Sequence, residues 1–315
     1  MSCPRDRIPG RPLKRLRGRR LQRSSRGVAA VVGTLLALLV FMTLFGIFLT
    51  QFLPLWMADN ESMFANQVAG QLGEVKQCMD LLALYNIPGH GCSTPVTMQS
   101  GGIPVFATPT QGTLSFLQIP QLYANVSFNM SASPYGPPQP HGNTYWNNSP
   151  AEISMVLPNR YYTPVTYVIT LGGLFQTQGG NQQTMLYQPS ITATGTGFQQ
   201  ALSITLYYMY GNTTRLSSTG TNEVYVTYIQ SQIWQTSNTA VNMTFDTYYP
   251  CAWQSFLGNV LKQNGIVPQF SPATCPANLG LVDQLQQMHV YFPTVPTFTF
   301  TVATFTIQMG IGNPS

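Results

Sequence analysis

From Val28 to Ala58 the chain carries no charged residue. As a helix this stretch would extend roughly 45 Å at 1.5 Å per residue, whereas about 20 apolar residues cross a bilayer core. We read it as a transmembrane helix with turns to spare. A secretory signal would have an apolar region of about 7–15 residues ending at a small-residue cleavage site, and neither feature fits. Charge is segregated around this segment. Residues 1–27 hold ten bases and one acid, a net +9, and the rest of the chain holds four bases and eight acids, a net −4. A basic head beside an apolar helix is the positive-inside signal. It predicts a cytoplasmic N-terminus, membrane lipid as a partner, and residues from about Asp59 onward outside. The folded part has no spread of basic residues, so no nucleic-acid partner is expected. The twin arginine of "GRRLQRS" lacks the surroundings of a twin-arginine export signal.

Two features agree with an outside location. Six sequons lie beyond the membrane segment, at Asn60, Asn125, Asn129, Asn147, Asn212 and Asn242, and none has proline in the middle. Cys3 is in the head, while the other four cysteines fall in two close pairs, Cys78/Cys92 and Cys251/Cys275. An even count outside suggests two disulfides. Sequence does not fix the pairing; local pairing is favoured, and each bridge would contribute about 3 kcal/mol. The outer part is nearly free of charge, far below the usual quarter of a globular chain. An acidic habitat, dense glycosylation or burial in a polymer would each explain that composition.

Beyond Pro54, Met57, Phe64, Val68, Leu72, Val75, Met79 and Leu82 recur at helical spacing. Asn86-Ile-Pro-Gly ends that helix, and Pro54 would kink the rod or divide it. After Gly89 the period changes from 3.6 to 2. In "ANVSFNMS" Val126, Phe128 and Met130 alternate with Asn125, Ser127 and Asn129; in "AVNMTFDTY" Val241, Met243 and Phe245 alternate with Asn242, Thr244 and Asp246. Both read as half-buried strands with the sequon asparagines on the polar face. Further strands are expected at 113–118, 151–157, 164–171, 201–210, 223–229, 286–292 and 297–309, with a proline-rich loop over 131–150. One helix interrupts them in "YYPCAWQSFLGNVLKQNG", with Pro250 in its first turn, Trp253, Phe256, Leu257 and Val260 on one face, and Gly265 past its end. In "TFTFTVATFTIQMG" the apolar phase slips at Ala303-Thr304, which predicts a β-bulge keeping both halves toward the core. The fold class is therefore α+β. A leader (1–27), a transmembrane helix (28–58) and an amphipathic stalk helix (59–86) precede a β-rich, sandwich-like head (87–315).

The run "RSSRG" followed directly by "VAAVVGTLLALLVFMTLFGIFLTQ" resembles the class III signal peptide of archaeal type IV pilin-like proteins. The resemblance covers about 30 residues in the signal, and the architecture of long helix and β-rich head extends it over the chain. It implies cutting by a prepilin peptidase, with Arg26 and Gly27 as the recognition pair and Val28 as the new N-terminus. It also implies assembly with other pilin-like subunits through the N-terminal helix. Three departures stand out: a long, arginine-rich leader, no acidic residue early in the apolar helix, and a head larger than that of a minimal major pilin. Ala29, Gly33 and Ala37 lie four apart, a small-residue stripe that permits close helix approach; Gly and Ala are also common in any membrane helix.

No catalytic pattern emerges. His90, His141 and His289 are far apart in sequence, no His/Cys/Asp/Glu cluster has metal-ligand spacing, and no phosphate loop, nucleophile elbow or zinc-protease motif occurs. Glu152, Glu223, Asp246 and Asp283 could supply a glycosidase pair, but nothing marks two of them. The expectation is a structural or adhesive surface subunit with no cofactor, metal or enzymatic activity. The rival is a permanently anchored extracellular module that binds a glycan or a protein through its many tyrosines and tryptophans.

Overall fold

The computed structural model describes residues 21–103, 106–118, 124–129, 143–179, 182–195, 199–271 and 286–310. Helix α1 (Leu21–Ile47) passes through five π-helical residues, Phe48–Phe52, into helix α2 (Leu53–Tyr85), with no non-helical residue between them. Proline lacks an N–H and its ring crowds the carbonyl four residues back. The wider turn just ahead of Pro54 is where such a clash is relieved, so helical residues continue through it where a break was one expectation. Over Ala29–Tyr85 this is a helix long and apolar enough to cross a membrane. The chain divides into two compact units between Leu55 and Trp56.

In the second unit two sheets enclose the α2 helix and a short third helix. One has eight strands. Its main path is β4 (Asn143–Asn148), β3 (Ala124–Asn129), β12 (Thr221–Thr247), β14 (Gln286–Gly310), β10 (Ala201–Tyr210) and β9 (Ile191–Thr194). Off this path β1 (Gly91–Thr97) pairs with β12, and β13 (Gln269–Ser271) pairs with β14. The six-stranded sheet runs β11 (Thr214–Leu216), β2 (Thr113–Gln118), β5 (Ala151–Leu157), β6 (Val165–Thr170), β7 (Gly173–Gln178) and β8 (Gln182–Tyr187). All described pairings are antiparallel except β10 with β14, which is parallel. Helix α3 (Pro250–Lys262) starts on its proline and buries Trp253, Phe256, Leu257 and Leu261; Gly265 follows at φ +75°.

Strand 223–229 proves to be the start of the much longer β12, and 286–292 and 297–309 join as β14. Register shifts at Tyr228/Gln230 and Thr239/Val241 let these two strands stay paired. At the second, Phe292 to Val295 of β14 oppose Val241 to Thr239 of β12, so β14 carries the extra residue beside Pro293, which cannot donate to the ladder. Residues 143–148 belong to a strand rather than the expected loop, because Thr144, Tyr145 and Trp146 pair with β3. Residues 131–142 of that loop lie outside the described residues.

The phase slip in β14 has a different cause from the one expected. No bulge interrupts β14 at Ala303-Thr304: β10 pairs with it in unbroken register from Ala201–Thr297 to Tyr210–Thr306. Both strands slip phase together. Phe298, Phe300 and Val302, with Leu202, Ile204 and Leu206, join a core around α3. Ala303, Phe305 and Ile307, with Tyr207 and Met209, join a second core around α2. Since successive side chains point to opposite faces, the sheet is buried on one face at one end and on the other face at the other end. The extra residue sits on β12 instead, where Ile229 is skipped between Tyr228 and Gln230.

Candidate functional site

The apolar helix leaves its side chains uncovered. Ala29, Gly33 and Ala37 are exposed, together with Val31, Leu35, Leu38 and Phe41. A Cβ built on Gly33 meets nothing within 4 Å. The hydroxyls along it are satisfied locally. Thr34 Oγ1 donates to the Val31 carbonyl at 2.9 Å, Thr43 Oγ1 to Val40 at 2.8 Å and Thr50 Oγ1 to Gly46 at 2.8 Å. Such back-bonding removes the cost of an unpaired hydroxyl in hydrocarbon. Arg26, Gly27 and Val28 lie on the backbone of α1. The helix thus runs through the Gly27–Val28 bond rather than starting at it, in keeping with a preceding LQRSSR that holds no proline or β-branched residue. Residues 1–20 of the leader lie outside the described residues.

Helix α2 is fixed in the head by the face its periodicity specifies. Met57, Phe64, Val68, Leu72, Val75 and Met79 are fully or almost fully buried, and Leu82 packs partly against the same core. Two ionic residues share that face. Glu61, fully buried, accepts backbone N–H bonds from Arg160 (3.1 Å), Tyr161 (2.8 Å) and Tyr162 (2.7 Å) and the Thr110 hydroxyl at 2.5 Å. Burial pushes its pKa up, but the bonds from Thr110 and the three amides outweigh it and hold the carboxyl below its ordinary value. Lys76, also buried, donates to both Asp80 oxygens at 2.5 and 2.6 Å and lies 5.2 Å from the Tyr207 ring centroid. Burial lowers its pKa, and the Asp80 carboxylate works against that shift. The Tyr207 hydroxyl donates to Asp80 Oδ1. Glu61 and Lys76 escaped the reading of the sequence as site residues. The signal was present: Glu61 falls four after Met57, and Lys76 four after Leu72 and three before Met79.

Past Asp80 the helix ends and the sheet opens. Asn86 stops α2 at φ +52°, and its Oδ1 accepts the Tyr228 hydroxyl. A cavity of about 360 Å³ follows, lined by the end of α2 and by β10, β12 and β14. Cys78 is bonded to Cys92, with Cα atoms 6.5 Å apart, so the end of α2 is tied to β1. Non-reducing peptide mapping is expected to recover a Cys78–Cys92 peptide; a Cys78–Cys251 or Cys78–Cys275 peptide would refute that bond. Cys251 is half-buried on α3, and Cys275 lies outside the described residues.

Of the sequon asparagines, Asn212 and Asn242 are exposed and Asn60 and Asn125 half-buried. The Asn60 amide donates to the Gly101 carbonyl at 3.4 Å. The side chains of Asn129 and Asn147 lie outside the described residues. In β12 the expected alternation holds, with Val241, Met243 and Phe245 buried and Asn242 outward. The carboxylates weighed for catalysis sit on different strands or at different points of one. Glu152 is buried on β5, while Glu223 and Asp246 lie near opposite ends of β12; Asp283 lies outside the described residues. His90 and His289 are exposed on separate segments, and His141 lies outside the described residues.

No family model matches the chain, and neither a curated protein nor a solved structure does.

Proposed function

We propose that the protein is a pilin-like structural or adhesive subunit of an archaeal surface filament, matured at Gly27–Val28 and assembled through its N-terminal helix. The observation that carries this reading is one uninterrupted run of helical residues with two kinds of surface. From Ala29 to Leu44 its apolar side chains are uncovered, and from Met57 to Met79 one face is built into the head core. A simple anchor has no need of the second property, whereas a subunit drawn from lipid into a helical bundle uses both. The Ala29, Gly33 and Ala37 stripe supplies a close-approach face. The weakly charged head forms the outer surface in this reading, with Asn125, Asn129 and Asn242 as candidate glycan carriers.

Filaments sheared from cells are expected to contain this chain with Val28 at its N-terminus by mass spectrometry, and Gly27→Phe should abolish cutting. Gly33→Leu should leave membrane insertion intact and remove the protein from the sheared fraction. A chain found only in membranes, uncut, supports the permanently anchored binding module instead, a reading for which the cavity beside Asp80 speaks.

A further inference from the structure

We propose that the cleft at the end of α2 is a binding site for a neutral, polyhydroxylated ligand, a sugar residue of a glycan. The site would serve an assembled subunit and an anchored module alike, so it does not rest on filament formation. Its floor is built from two cross-strand rows of one sheet face. Thr205, Thr301 and Ile233 form one row across β10, β14 and β12; Tyr207, Ala303 and Ser231 form the next. Further along, α2 covers this face; here the helix stops at Tyr85, and the face opens. Asp80 and Asn86 form the wall. The volume of about 360 Å³ lies at the lower end of the roughly 300–1,000 Å³ of small-molecule sites.

The chemistry of the lining selects the ligand class. Asp80 is part-exposed to the cleft, yet its charge is matched by Lys76, which is buried behind it and engages both its oxygens. A cation gains little from a carboxylate already paired. An anion finds no basic side chain in the lining, since Lys76 points its ammonium at Asp80. What remains are carboxylate lone pairs held in a fixed orientation, the hydroxyls of Thr205, Thr301 and Ser231, and the Asn86 amide. Two of these are pre-set by neighbours. The Tyr228 hydroxyl bonds both Asn86 Oδ1 and Ser231 Oγ, the latter at 2.7 Å. The strongly exposed Leu84 on the helix and Ile233 at the β12 end of the floor offer apolar surface to the C–H face of a sugar ring. Alternating donors and acceptors with a small apolar surface match a ring of hydroxyls better than an apolar peptide.

The test uses the full chain in lipid nanodiscs, since maltoside detergents would compete. Saturation-transfer NMR is run with glucose, galactose, mannose and N-acetylglucosamine and their trisaccharides, beside glucosamine and glucuronate as charged controls. At least one neutral sugar should receive saturation and outcompete both controls. Thr301→Val and Ser231→Ala should each weaken it about tenfold, the scale of one lost hydrogen bond. Thr297→Val, outside the cleft, should change nothing. If either cleft variant loses the wild-type circular dichroism, Leu84→Ser on the helix takes its place and should weaken binding severalfold. No transfer to any neutral sugar, preference for a charged control, or equal binding by the cleft variants overturns the proposal. Binding of an apolar peptide in place of sugar at the same residues does so too.

Discussion

Glu61→Ala is expected to destabilise the head by about 4 kcal/mol, read from denaturant unfolding followed by tyrosine and tryptophan fluorescence. The carboxylate alone accepts from three backbone amides and the Thr110 hydroxyl. Its removal strands those donors, and an unsatisfied buried donor costs about 1–3 kcal/mol. Glu61→Gln keeps one acceptor oxygen and should cost roughly half as much. A loss below about 1 kcal/mol for the alanine variant would mean that water replaces the carboxylate, and the anchoring account would fail.

The same residue gives stability a pH dependence of fixed sign. Its folded pKa lies below the ordinary 4.5, so its contribution is complete above 4.5 and is lost as pH falls through the lower folded value. Glu152 works in the opposite sense. Burial pushes its pKa up to about 7, so the folded state holds its proton more tightly than the unfolded chain. Stability should therefore rise by up to about 3 kcal/mol as pH falls from 7 towards 4.5. The thermal midpoint should peak in mild acid, and Glu152→Gln should flatten the limb between pH 5 and 7. A midpoint that climbs steadily from pH 5 to 7 in the wild type would contradict the assignment to Glu152.

Trp253→Ala should be the costliest change at the α3 end, about 3–5 kcal/mol. The indole is fully buried, with ring centroids 5.0 Å from Phe245, 5.6 Å from Phe175 and 6.3 Å from Phe256. Its Nε1–H has no acceptor among the described residues. Trp253→Phe deletes that donor while keeping an aromatic ring, so it should cost well under half of the alanine change. Equal losses for the two variants would mean that the indole nitrogen carries the site.

How much of this was legible in advance differs from element to element. The buried face of α2 follows from period alone, because one face meets the core and the other does not, whereas the strands 113–118, 151–157 and 201–210 show as short runs of apolar and β-forming residues. The short strands β7, β8, β9, β11 and β13 carry no such alternation over enough residues to stand out. Glu61, Lys76 and Asp80 are single charges on an amphipathic helix, and no motif in the sequence marks them. Their helical positions place the first two among Met57, Leu72 and Met79, where a charge persists only with partners: Lys76 finds Asp80 one turn on, and Glu61 finds its partners in distant segments. The Glu61 partners Thr110 and Arg160–Tyr162 and the Asp80 partner Tyr207 lie 49 to 127 residues further along the chain, beyond any local pattern. The cleft at Asp80 is likewise a product of where α2 stops on the sheet.

The phase slip shared by β10 and β14 makes those strands a party wall. Each is clad by the α3 core on one side of one half and by the α2 core on the other side of the other half. Neither core can melt without stripping a face from strands the other needs. The shared strands couple the two hydrophobic clusters, so damage at the α3 end reaches the anchorage of α2 through β10 and β14.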